Sequence, residues 1–99
     1  MEKYNFKYKA IKSIPNRAHV GVVGSGDLEV LMDKGNNDLS EVLVRTRFDG
    51  YKNIWDNILK RFFEENDVCV NIEINDFGAT PGMIKLRLLQ ALEVSGYEK

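Results

Sequence analysis

Between Tyr51 and Phe63 the apolar residues recur at i, i+3, i+4 and i+7, and on either side of that stretch they alternate with polar ones. A period near 3.6 paints one stripe on a helix and a period of two paints one face of a strand, so the chain has to combine both kinds of element. Tyr51, Ile54, Trp55, Ile58, Leu59, Phe62 and Phe63 make the stripe, with Lys52, Asp56, Lys60 and Glu64 off it. A stripe of this kind must be covered, and each large side chain taken from water contributes about 1.5–3 kcal/mol. The helix is therefore expected to clamp a sheet.

The strands come from the alternation. Tyr4, Phe6, Tyr8 and Ala10 alternate with Lys3, Asn5, Lys7 and Lys9, which predicts a first strand with a lysine face suited to an edge or to solvent. After a turn at Pro15-Asn16, Ala18 to Val23 is rich in small and β-branched residues and predicts a second strand. Gly24-Ser25-Gly26 interrupts, and Asp27 to Asp33 resumes the alternation, which predicts a hairpin with a three-residue loop. Glu41 to Phe48 is a fourth strand with Val42, Val44, Thr46 and Phe48 on one side, and Val68 to Asn75 a fifth with Val68, Val70, Ile72 and Ile74 inward. Thr80 before Pro81 reads as an N-cap and first helical position, and Ser95-Gly96 as a stop.

The expected order is ββββαβα, an α+β two-layer sandwich in which a mixed or antiparallel sheet of about five strands carries two helices on one face. Parallel pairing of the strands flanking the first helix would make that unit a right-handed crossover. With 99 residues the chain is expected to be one domain, residues 1–99, so a site built between domains needs other chains. A net charge of −1 leaves no basic surplus for nucleic acid. No apolar run approaches the roughly 20 residues needed to cross a bilayer and no signal-peptide pattern opens the chain, so a cytoplasmic protein without direct membrane contact is expected. Cys69 is the only cysteine and His19 the only histidine, which starves disulfides, cysteine-cluster metal sites and most triads of parts, and no metal site is expected.

Ser25 stands between Gly24 and Gly26 at the expected hairpin tip, where neighbours without side chains leave its hydroxyl open to a bulky electrophile. His19 is the one imidazole that a self-activating serine would use, and a packed or half-exposed histidine is the plainer reading. Asp27, Glu29 and Asp33 share strand parity with Ser25, and Asp27 and Glu29 are candidates for docking a basic partner, with a solvated strand face as the alternative. Asp76-Phe77-Gly78 has the form of the kinase metal-binding tripeptide but lacks the accompanying loops, and reads better as a tight turn into the last helix. That helix start offers unpaired amides that suit a phosphate, with ordinary capping as the alternative. Cys69 is placed on the polar side of its strand as an incidental thiol, and Trp55 with the phenylalanines in the core.

Two separated motifs carry a family resemblance. Val23-Gly24-Ser25-Gly26-Asp27-Leu28-Glu29-Val30-Leu31, with Ile72-Glu73-Ile74-Asn75-Asp76-Phe77-Gly78-Ala79-Thr80-Pro81-Gly82 and Leu86-Arg87-Leu88, resembles the acyl carrier (delta) subunits of malonate decarboxylases. The resemblance implies a non-catalytic carrier whose Ser25 bears 2′-(5″-phosphoribosyl)-3′-dephospho-CoA through a phosphodiester. It further implies a dedicated holo-carrier synthase that installs this arm, and acyltransferase and decarboxylase subunits that act on its acetyl and malonyl thioesters. Fatty-acid carriers are a poor match, since they are helical bundles with an Asp-Ser-Leu motif. The alternatives are a citrate-lyase-type carrier, an unmodified scaffolding or regulatory domain, and an enzyme in its own right.

Overall fold

The alternating runs do form strands, because each buries its apolar positions on one side of a common sheet. A computed structural model describes residues 2–98. The strands are β1 (Glu2–Lys9), β2 (Ala18–Gly21), β3 (Leu28–Lys34), β4 (Leu39–Thr46) and β5 (Val70–Asp76), with helix α1 (Lys52–Glu65) before β5 and α2 (Pro81–Ser95) after it. The sheet order is β1-β4-β5-β3-β2, in which β4 and β5 are parallel and the other neighbours antiparallel. The expected order ββββαβα and the α+β class hold, and the sheet is mixed. The parallel pair is the one joined through α1, as a crossover connection requires.

Tyr4, Phe6, Val20, Leu28, Val30, Met32, Val42, Val44, Ile72 and Ile74 fill one face of the sheet and meet Trp55, Leu59, Phe62 and Phe63 from α1 and Ile84, Leu88, Ala91 and Leu92 from α2. Tyr8 stacks on Phe63 with centroids 4.8 Å apart, which holds α1 against β1. The other face carries Lys3, Lys7, Glu41, Arg45, Glu73, Asn75, Glu29 and His19, where Lys7 pairs with Glu41 and Arg45 with Glu73. Thr80 caps α2 by accepting from the Met83 amide at 3.2 Å, and Gly96 closes it in the left-handed conformation.

Four expectations on boundaries and faces need correction. β2 stops at Gly21 rather than Val23, and Val22 and Val23 are 60% and 59% exposed, so the hairpin loop runs from Val22 to Asp27. Phe48 lies beyond the end of β4 and is half exposed, because the strand ends at Thr46. Tyr51 and Ile54, though on the helical stripe, sit at the start of α1 past the cover of the sheet and are also exposed. Cys69 is buried rather than on a polar face: it precedes β5, where its amide bonds Lys12 and its carbonyl accepts from Gly35, so strand parity does not govern it.

Candidate functional site

The chain leaves β2 at Gly21, whose φ of +84° and closeness to Leu28 exclude any side chain: an added Cβ would lie 2.0 Å from the Leu28 carbonyl oxygen. The Gly24 amide donates to the Val22 carbonyl at 3.0 Å, and the Asp27 amide donates to the Gly24 carbonyl at 3.2 Å. The second bond closes a four-residue turn with Ser25 and Gly26 at its centre. Gly26 has φ +78°, whereas the non-glycine residues at positive φ among those described are Asn37 and Asp38, so Ser25 has negative φ and the turn is type II.

The turn runs straight into a bulge that ties it to β5. Gly26 donates its amide to the Phe77 carbonyl at 2.8 Å, and the Phe77 amide donates to the Asp27 carbonyl at 2.9 Å. Two residues thus oppose one, with a left-handed glycine first, which is the G1 bulge. Ser25 is exposed at the corner of this frame. Among the described residues its hydroxyl has no hydrogen-bond partner.

Phe77 is held in turn by Asp76. The buried Asp76 carboxylate accepts from the Thr46 hydroxyl at 2.9 Å and from the amides of Gly78 and Ala79 at 3.2 and 3.0 Å. Thr46 also accepts from the Phe48 amide at 3.1 Å, which fixes the end of β4 to the same knot. The Arg47 guanidinium lies 5.2 Å from the Phe77 ring centroid, a cation–π contact beside the turn. The tripeptide expected as a tight turn is therefore the bracket on which the Ser25 turn hangs.

The two docking candidates are both engaged within the chain. Asp27 receives Arg87 in a bidentate pair, Nη2 to Oδ2 at 2.7 Å and Nε to Oδ1 at 3.1 Å, and its Oδ1 also accepts from the Leu28 amide. The Arg87 contact first and the Leu28 bond second hold the Asp27 carboxyl below the usual aspartate range, and Asp27 correspondingly raises Arg87. Arg87 is steadied further by Gln90 at 2.8 Å, so α2 grips the base of the turn. Glu29 is bonded to His19 at 2.8 Å and to the Asn75 amide group at 2.9 Å. His19 pairs with Leu31 in the ladder and spends its ring nitrogen on Glu29.

The site thus gathers Gly24, Ser25, Gly26 and Asp27, as the sequence proposes, and adds Arg87, Phe77, Asp76 and Thr46, which sequence reasoning did not assign to it. Arg87 lies sixty residues from Asp27, so no local spacing announces the pair. A hydroxyl with no adjoining base is a weak nucleophile, and an open one at a rigid corner suits a base delivered by another protein.

Comparison with known proteins gives a consistent picture. The family described as "Malonate decarboxylase delta subunit (MdcD)" matches residues 15–95. The malonate decarboxylase acyl carrier protein of Stutzerimonas stutzeri (strain A1501) is 42% identical over 99% of this chain and 100% of its own length. That of Pseudomonas fluorescens (strain SBW25) is 41% identical with the same coverage. A chain in the crystal structure of a Pseudomonas malonate decarboxylase hetero-tetramer in complex with malonate superposes with a TM-score of 0.92 at 40% identity, covering 97% of this chain and 100% of that one.

Proposed function

This chain belongs to the malonate decarboxylase delta subunit family, and from that premise we propose that Ser25 is the anchor of its acyl-carrying arm. The family is one of acyl carriers rather than catalytic subunits. The arm in this reading is 2′-(5″-phosphoribosyl)-3′-dephospho-CoA, joined to the Ser25 oxygen by a phosphodiester. When bound, it supplies a terminal thiol on which acetyl and malonyl travel as thioesters.

One observation carries the reading: Ser25 is exposed at the corner of a type II turn whose two sides are fixed, by the Phe77 main chain just past the end of β5 and by Arg87 on α2. Fit of the arm rests on the same geometry. A Cβ placed on Gly26 would meet nothing within 4 Å, and one on Gly24 would meet only a Val22 methyl at 3.9 Å, so the hydroxyl is approachable from both sides. The turn contributes presentation, and the base that takes the hydroxyl proton comes from a holo-carrier synthase. Acyltransferase and decarboxylase subunits are then the partners, and the hetero-tetramer that contains the similar solved chain supports such an assembly. A docking role for Asp27 and Glu29 acts through side chains already paired within the chain, Asp27 with Arg87 and Glu29 with His19 and Asn75, since neither presents a free carboxylate. No described helix is long and apolar enough to cross a membrane, and a cytoplasmic carrier accords with this.

Intact mass tests the proposal. Co-expression with the synthase adds the mass of the arm to the wild-type chain and nothing to Ser25→Ala, while both variants keep the same melting temperature. An equal gain on Ser25→Ala, or none on the wild type, overturns it.

A further inference from the structure

A cleft of about 270 Å³ opens between the end of β4, the first turn of α1 and the first turn of α2. Its walls are Phe48, Tyr51, Ile54, Ala79, Pro81 and Ile84. Phe48 and Tyr51 are each 47% exposed and Ile54 42%, so three large apolar side chains crowd one mouth and leave much of their surface to water. The cleft adjoins the Ser25 turn. A Cβ on Gly78 would lie 3.4 Å from the Phe48 ring on one side and 3.9 Å from the Gly26 amide nitrogen on the other.

We propose that this cleft seats the purine base of the arm carried by Ser25, leaving the thiol end free to swing. The inference rests on the reading of Ser25 as the anchor. In that arm the nucleoside is joined through sugar and phosphate close to the attachment point, so the base is the flat aromatic piece nearest the turn, with its polar edge able to face water at the open mouth. Every base has a π-face that stacks on aromatic side chains whatever its edge groups are, and Phe48 and Tyr51 offer such faces. The volume lies just under the usual range for small-molecule pockets, roughly 300–1,000 Å³, and suits one base rather than the whole arm.

The polar lining argues against the pantetheine segment as occupant. Its amides would need partners, and the Thr46 hydroxyl and Asp76 carboxylate at the cleft are already spent on each other and on the Phe48, Gly78 and Ala79 amides. Charge also favours the nucleotide end. Arg47, next to Phe48 in sequence, is exposed and stacked on Phe77, whose main chain is bonded to Gly26 and Asp27, so a cation lies beside the residue that ties down the turn and is available to the arm's phosphates. Tethering supplies a high effective concentration, and a shallow seat therefore suffices.

Isotope-labelled carrier prepared with and without the synthase provides the test. Mass spectrometry first establishes that the arm is on. In the loaded chain, the adenine H2 and H8 protons should show nuclear Overhauser contacts to the Ile54 and Ile84 methyls and the Phe48 ring. Phe48→Ala combined with Tyr51→Ala, at exposed positions, should take up the same mass and lose those contacts. A fully loaded wild-type chain whose chemical-shift changes stay within Gly24–Asp27, with no adenine contact to the cleft, overturns the seat and leaves the anchor standing. A chain that gains no mass overturns the anchor, and the seat with it.

Discussion

Replacing Asp76 by alanine tests whether the Ser25 turn hangs on a buried bracket. The carboxylate accepts three hydrogen bonds, from the Thr46 hydroxyl and the Gly78 and Ala79 amides. Bonds to a charged acceptor contribute about 1.5–3 kcal/mol each, but they are not additive, and the half-buried amides of Gly78 and Ala79 regain water when the acceptor goes. Burial of the carboxylate itself also carries a cost that its removal returns. A net loss of about 3 kcal/mol follows, a large share of the 5–15 kcal/mol that holds a domain of this size. In melting temperature this is a fall of about 12–24 °C, at about 4–8 °C per kcal/mol. Trp55, the only tryptophan and buried to 3% exposure, reports the transition by fluorescence. Asp76→Asn keeps an oxygen for the two amides and should cost about 1 kcal/mol. Because Phe77 holds Gly26, the alanine variant should also be loaded more slowly by the synthase below its melting point. A fall of less than about 4 °C for Asp76→Ala would refute the bracket, since that corresponds to under about 1 kcal/mol.

Two glycines separate strain from collision. Gly26→Ala meets no atom within 4 Å and should cost only the left-handed penalty of about 1–2 kcal/mol, whereas Gly21→Ala adds a contact of 2.0 Å with the Leu28 carbonyl and should fail to fold as a hairpin; equal melting temperatures would contradict this. The Asp27 carboxyl is held below its ordinary value of 3.8, so the stability it contributes is present above that pH and is lost as pH falls through its lowered folded value. Melting temperatures of wild type and Asp27→Asn should therefore differ at neutral pH and converge in strong acid, and a gap independent of pH would count against the Arg87 pair. Thr80→Ala removes the acceptor of the Met83 amide and should cost about 1 kcal/mol by urea denaturation.

The periods of the apolar residues made most of the architecture legible, because burial on one face demands them. Val42, Val44, Ile72 and Ile74 read as inward and are. Strand ends were legible only in part. Val22 and Val23 have strand chemistry, yet Gly21 takes a positive φ that diverts the chain before them. Ser25 and its glycines were visible as a motif. The frame around them was not, since Asp27–Arg87 and Thr46–Asp76 join residues sixty and thirty positions apart, and only the completed sheet brings them together. Asp27 and Glu29 read as a strip of free charge for the same reason: their partners come from α2, β2 and β5.

The bulge that locks Gly26 and Asp27 to Phe77 has a mechanical consequence. A hinge whose footing is bolted to the middle of a sheet contributes almost no travel of its own. If Ser25 is the anchor proposed above, whatever distance the cargo covers between workstations comes from the length of the tether and from how the partners are spaced, so lengthening the loop around Ser25 would surrender the footing without extending the reach.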